Sequence, residues 1–170
     1  KPADKQKHKA ESEKAAKNAK TELINAIKVY KKFTENEAFR NFPKMDKALF
    51  YFGYTLQNAK YLEDARNTFD RLLKNYPQSK YVPEAHLAFA DYHFENNQLA
   101  DAESRYKRVL QFPKSSVYWY ATYKLGWVNL NLGKHQEALE LFYEVAMKTK
   151  GDKKQETLNR AAKKDIVRAY

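Results

Sequence analysis

The most informative segment of the chain is FYFGYTLQNAKYLEDARNTF, residues 50–69. Around its start, Leu49, Phe52 and Leu56 recur at helical spacing, and Gly53 lies on the same apolar face. A glycine inside a helix costs about 1 kcal/mol relative to alanine. Because the chain has only four glycines in 170 residues, this position predicts a packing requirement at residue 53.

The pattern around Gly53 occurs three times. In each copy a small residue is followed after twelve residues by alanine, after four more by an aromatic residue, and after three more by an aliphatic residue. The copies are Gly53–Ala65–Phe69–Leu72, Ala90–Ala102–Tyr106–Val109 and Gly126–Ala138–Phe142–Val145. Aromatic–proline pairs at 41–43, 75–77 and 111–113 separate the copies, since proline ends a helix. Each copy therefore predicts a helix–turn–helix unit with helices of about 14 residues, or about 20 Å.

The small residue and the alanine suggest where the two helices of a unit approach each other. We interpret Gly53 and Ala65 as a close contact that offsets the helix penalty of the glycine. Overpacking this contact with Gly53→Leu would cost roughly 1–3 kcal/mol.

The repeats resemble the tetratricopeptide repeat, a helical hairpin of about 34 residues. Gly53, Ala65, Phe69 and Pro77 match its small residue, alanine, aromatic residue and proline. In the third repeat Lys150 replaces the proline. The resemblance implies an all-α fold, a right-handed α-α superhelix of about three hairpins with flanking helices.

This interpretation divides the chain into four parts. They are a basic helical lead-in or linker at 1–21, an amino-terminal helix forming an incomplete repeat at 22–45, three repeats spanning 46–150 (46–79, 83–115 and 119–150), and the start of a further helix or a cap at 151–170.

The sequence contains no motif of a common catalytic or cofactor site. It has no cysteine, no phosphate-binding glycine loop, no nucleophile elbow and no HExxH. His86 and His93 are seven residues apart, about 10 Å along a helix, too far to share one metal ion. We therefore predict a protein that is not an enzyme, with no cofactor and no metal site. No apolar run approaches the roughly 20 residues of a transmembrane helix.

In tetratricopeptide repeat proteins the first helix of each hairpin lines the inner, concave face, where partners bind. The resemblance therefore implies a partner-binding groove formed by Phe50, Tyr54, Gln57, Asn58, Leu87, Asp91, Phe94, Tyr120, Tyr123, Trp127 and Asn131.

The aromatic residues of this groove indicate a binding surface. A soluble repeat array has no evident core requirement for Phe50, Tyr54, Tyr120, Tyr123 and Trp127 on that face. Exposed tyrosine and tryptophan clusters mark interaction surfaces. We predict a non-catalytic scaffold that binds a peptide or protein partner within a multi-protein assembly. The alternative is that neighbouring repeats, or the amino-terminal helix folding inward, already cover these side chains.

The net charge of +11 is concentrated at the ends. Residues 1–45 hold 12 Lys/Arg and six Asp/Glu, and residues 151–170 hold six and three. An alternative function is thus binding of a polyanion, either nucleic acid or an anionic envelope polymer. Nucleic acid is disfavoured because 1–20 lacks the aromatic and arginine residues that contact bases. A third hypothesis is self-association, because both ends of the array look open.

The long links between repeats are similar in style to those of bacterial envelope proteins, namely the Tol-Pal coordinating protein and the outer-membrane assembly lipoprotein. This resemblance implies the periplasm or cell envelope of a bacterium, with the cytoplasm as the alternative. We also expect the chain to be a segment of a longer protein.

Overall fold

The structure of the protein, a computed structural model, describes residues 2–170, with side chains from His8 onward. This part of the chain forms eight α-helices, a 3-10 helix at Glu37–Phe39, and no strand, so the all-α prediction is confirmed. The α-helices are α1 Pro2–Glu35, α2 Met45–Asn58, α3 Leu62–Asn75, α4 Val82–Glu95, α5 Leu99–Val109, α6 Tyr118–Asn131, α7 His135–Lys148 and α8 Glu156–Ala169. Of the predicted lead-in, Lys1 and the side chains of residues 2–7 lie outside this description.

The chain divides into two compact units, one ending at Ser79 and one running from Lys80 to Tyr170. In the first unit, α1 continues through the boundary predicted after residue 21, because residues 3–35 contain no glycine or proline to interrupt it. It ends where Asn36 adopts an extended backbone, with φ −82° and ψ 118°. The Asn36 side chain there accepts a hydrogen bond from the Ala38 amide at 2.9 Å.

The last turns of α1 pack as the second helix of a hairpin would. Ile27 and Tyr30 contact the buried cluster that contains Phe52 and Leu56. The rings of Tyr30 and Phe52 stack with centroids 6.0 Å apart. The incomplete repeat before α2 stays a prediction.

The atoms nearest to Gly53 belong to an aromatic side chain of the second helix. A Cβ at residue 53 would lie 2.7 Å from Cε1 of Phe69, well inside van der Waals distance. A Cβ at Gly126 would lie 2.6 Å from Cε1 of Phe142. The glycine therefore accommodates the aromatic ring of the second helix. Its contact with Ala65 stays a prediction. The sequence spacing identified the face of the helix that carries Gly53, but not the side chain that packs on it.

The second unit contains two complete hairpins, α4–α5 and α6–α7, followed by α8, which packs along α7. Its main core includes Ala90, Tyr106 and Leu125, all buried. Here an alanine faces a tyrosine at the positions where the other repeats pair glycine with phenylalanine. α8 continues the alternation, with Ala162 fully buried against Val145 and Ala146.

Each hairpin turn contains one residue with a left-handed backbone. These are Lys60 with φ 65°, Asn97 with φ 58° and Gly133 with φ 75°. Left-handed backbone costs a residue with a Cβ roughly 1–2 kcal/mol, whereas glycine adopts it without that strain. Lys60 is the least suited of the three residues to this turn.

We expect Lys60→Gly to raise the free energy of unfolding by up to about 1 kcal/mol, because it removes the backbone strain of an exposed residue. Gly133→Lys should lower it by a similar amount, since a Cβ there would meet no atom within 4 Å and only strain would act. Urea denaturation of the two variants measures both effects. A loss of stability in Lys60→Gly would contradict the expectation.

Candidate functional site

The first unit contributes four predicted groove residues, all from α2. Tyr54 is 49% exposed, Asn58 is exposed, and Phe50 and Gln57 are half-buried. Phe50 stacks on Tyr54 with centroids 6.4 Å apart and also contacts the ring of Phe69 at 6.2 Å. Phe50 therefore partly covers the core, and Tyr54 is the aromatic residue of this face most available to a partner.

The second unit contributes seven predicted residues. They are Leu87, Asp91 and Phe94 on α4, and Tyr120, Tyr123, Trp127 and Asn131 on α6. Leu87 and Phe94 are half-buried against the main core of the unit. The Nζ of Lys124 lies 4.1 Å from the centre of the Phe94 ring, which is cation–π geometry. Internal packing therefore covers part of the surface of Leu87 and Phe94.

Asp91 is the carboxylate of this face that is tied most closely to the core. Its Oδ1 accepts a hydrogen bond of 2.5 Å from the hydroxyl of the buried Tyr106. Burial raises the pKa of Asp91 above its usual value, although the Tyr106 hydrogen bond and Lys124 oppose this and Glu95 adds to it. The same burial, with the nearby Asp91 charge, raises the pKa of the Tyr106 hydroxyl. Tyr106 therefore remains a neutral donor.

Tyr120 stands near Asp91 at the surface. Its side chain is 39% exposed. Burial of the hydroxyl, with the charges of Asp91 and Glu95, raises the pKa of Tyr120 to about 12. The α4 and α6 faces thus present an accessible phenol ring beside two carboxylates, of which Asp91 is partly desolvated.

We expect Asp91→Asn to stabilise the protein at neutral pH. The asparagine carbonyl can still accept from Tyr106, and the substitution removes a charge that burial disfavours. Because the folded-state pKa is raised, the folded protein binds this proton more tightly than the unfolded chain does. The ionised carboxylate therefore costs stability above the folded-state pKa, and the cost disappears as the pH falls through that pKa toward 3.8.

Urea denaturation of wild type and Asp91→Asn at several values between pH 7 and pH 4 measures this difference. The gain should shrink toward zero at the acid end. Glu95→Gln, an exposed neighbour on α4, is the matched control and should show a smaller gain. A pH-independent difference for Asp91→Asn would contradict the burial argument.

Tyr123 and Trp127 do have a core role, so the expectation that they lack one was wrong. Their rings pack on Phe142 with centroid distances of 5.6 Å and 6.0 Å. The Tyr123 hydroxyl donates a 2.6 Å hydrogen bond to Oδ2 of Asp165 on α8. The Arg168 guanidinium lies 5.6 Å from the centre of the Trp127 ring. Both rings are half-buried because α8 packs beside α6.

Asn131 is exposed, and its amide donates to the Trp127 carbonyl at 2.8 Å near the end of α6. Sequence reasoning missed Asp165, a buried carboxylate that also pairs with Arg168 at 3.0 Å. The signal was present in the repeat spacing, because Ala162 follows Gly126 at the interval that separates Gly126 from Ala90. That register places Asp165 at the position of the buried Leu56 and Asn129 in earlier repeats.

The described side chains include no group of three His, Cys, Asp or Glu residues arranged to hold a metal ion. The groups on the first-helix faces are phenol and indole rings, carboxylates, and the cations of Lys124 and Arg168. Within residues 2–170 no helix combines the length and apolarity needed to cross a bilayer.

Successive helical hairpins built on one repeated pattern are the architecture of tandem helical-repeat proteins. Residues 20–158 match the tetratricopeptide repeat-like domain. The chain belongs to this family.

Two solved structures titled as MamA are similar to this chain. Both have a TM-score of 0.60. One is 22% identical, with 91% of this chain and 85% of the other covered. The second is 21% identical, with coverages of 91% and 90%. At these identities the likeness shows the fold alone. A comparison with curated proteins found no match.

Proposed function

We propose that this chain is a non-catalytic scaffold that binds a partner peptide or protein on the first-helix faces of its repeats. The observation that carries the proposal is Tyr120, a partly exposed ring beside the partly desolvated Asp91 carboxylate. Tyrosine is a frequent hot-spot residue because it buries a large ring and can hydrogen-bond at its tip. Family membership supports the proposal, since stacked hairpins present rigid, preorganised surfaces.

The internal packing of Tyr123 and Trp127 narrows the proposed binding surface. Their rings pack on Phe142 of α7, and the Tyr123 hydroxyl bonds to Asp165 of α8. We therefore assign direct partner contact in the second unit first to Tyr120, beside Asp91. Tyr54 is the corresponding choice in the first unit. Each unit is proposed to contact the partner through its own first-helix face.

We expect Tyr120→Ala to weaken partner binding at least tenfold, the usual cost of removing a hot-spot side chain. Random peptides displayed on phage would be selected on the wild-type protein, and calorimetry would give the affinity of the best peptide for each variant. Tyr143→Ala is the matched control, because Tyr143 is 58% exposed on a second helix, α7. Equal affinity of the peptide for wild type and Tyr120→Ala would reject the assigned surface.

The polyanion alternative assigns binding to the basic ends of the chain, residues 1–45 and 151–170. A depression of about 430 Å³ at the α7–α8 turn is lined by Lys150, Lys153, Arg160 and Lys163, together with the carboxylates of Asp152 and Glu156. Binding that collapses between low and physiological salt, and that survives Tyr120→Ala, would favour this alternative.

We further propose that the scaffold works in the periplasm or cell envelope of a bacterium, as part of a larger assembly. The long inter-repeat links support this placement through their resemblance to envelope repeat proteins. Fractionation of cells that produce the full-length protein tests it, and recovery with cytoplasmic markers would reject it.

A further inference from the structure

The first unit contains a cleft of about 360 Å³ between α1 and the α2–α3 hairpin. Phe52 and Leu56 form its base, since both are buried, and Ile27 continues this apolar surface from α1. Tyr61 lies at the edge and is 49% exposed. The lining includes neither Phe50 nor Tyr54, so the cleft is separate from the surface proposed above.

The corresponding place in the second unit is crossed by an ion pair. There the Lys134 ammonium donates to both Glu103 carboxylate oxygens at 3.2 Å. Glu103 directly follows the alanine of one second helix, and Lys134 precedes the alanine of the next by four residues. In the first unit these two repeat positions are Ile27 and Tyr61. The first unit thus has apolar and aromatic side chains where the second unit has a charged bridge.

The charges around the cleft are balanced. Lys31 and Arg71 contribute two cations, and Glu35 and Asp64 contribute two carboxylates. The Arg71 guanidinium is held in place by donation to the Thr34 carbonyl at 2.9 Å. A balanced rim over an apolar base favours a neutral, amphipathic ligand over either kind of ion.

We propose that this cleft binds a single aromatic side chain of a partner peptide. Its volume is near the lower end of ligand pockets, which suits a side chain better than a folded segment. Phe52 at the base and Tyr61 at the edge provide aromatic surfaces, and rings pack favourably on one another in stacked or edge-on geometry. The Lys31 and Arg71 cations add partners for the face of a bound ring.

The test uses N-acetyl-tryptophanamide as the probe and nuclear magnetic resonance titration of the whole chain. We expect saturable shifts centred on Phe52, Leu56 and Tyr61, with a dissociation constant in roughly the millimolar range. Ile27→Glu combined with Tyr61→Lys would introduce the Glu103–Lys134 arrangement into the first unit. This variant should weaken probe binding at least tenfold while leaving the helical circular dichroism unchanged.

Tyr61→Lys alone is the second variant, because Tyr61 is half exposed and its replacement does not open the core. It should weaken binding at least threefold, even if the double variant fails to fold. Tyr143→Lys is the control and should leave binding unchanged. The proposal is overturned by shifts centred outside the cleft, by unaltered binding to Tyr61→Lys, or by equal binding of N-acetyl-leucinamide.

Discussion

Gly53→Leu is expected to lower the free energy of unfolding by about 3 kcal/mol, the upper end of the usual cost of overpacking. A Cβ alone at this position would lie 2.7 Å from the Phe69 ring, and leucine adds three further carbons. Phe69 is 1% exposed, so its ring cannot turn away without opening the hairpin. Urea denaturation followed by circular dichroism measures the loss.

Lys47→Leu is the control for adding a leucine to the same helix, since Lys47 is exposed on α2. It should change stability by less than about 0.5 kcal/mol. Adding Phe69→Ala to Gly53→Leu should recover part of the loss, because the new side chain then occupies the volume of the ring. Identical unfolding curves for Gly53→Leu and Lys47→Leu would contradict the assigned contact.

Combining Tyr123→Ala with Trp127→Ala is expected to cost at least about 3 kcal/mol of stability. Two rings that pack on Phe142 are lost. The buried Asp165 also loses the tyrosine hydroxyl that donates to it at 2.6 Å. A weakened partner interaction in this variant would therefore report damage to the repeat rather than loss of a direct contact.

Tyr123→Phe separates the hydrogen bond from the packing. It keeps the ring on Phe142 and removes only the donor to Asp165, so we expect about 1–3 kcal/mol of the loss. Tyr143→Ala, which removes an exposed tyrosine from α7, is the control and should be close to neutral. Wild-type stability in the double alanine variant would show that α8 does not depend on these rings.

Repeat spacing was sufficient to predict the hairpins, because the positions that recur are those that pack. Ala65, Ala102 and Ala138 are all buried on second helices. The same spacing could not identify the side chain opposite Gly53, since periodicity places a residue on a face and leaves the facing atom open. It also missed the end of α1, which depends on the local backbone and side-chain bond of Asn36.

The candidate surface was predictable only in part for a related reason. Tyr54 and Tyr120 are exposed on first helices, and their contact with a partner stays a prediction. Tyr123 and Trp127 occupy equivalent positions, yet their exposure depends on whether another helix follows and where its polar side chains lie. Asp165 on α8 settles that question for Tyr123. The exposure of a first-helix residue thus depends on a segment far along the chain, which the repeat motif does not include.

A glycine is paired with phenylalanine in two repeats, and an alanine with tyrosine in the other. The two positions of a pair can therefore be exchanged between hairpins only together. An engineer who builds new arrays from these hairpins would have to transplant Gly53 together with Phe69. The second hairpin would have to carry Ala90, Tyr106 and Asp91 as one set, since the hydroxyl needs its acceptor. A consensus sequence averaged position by position would mix the two solutions and match neither.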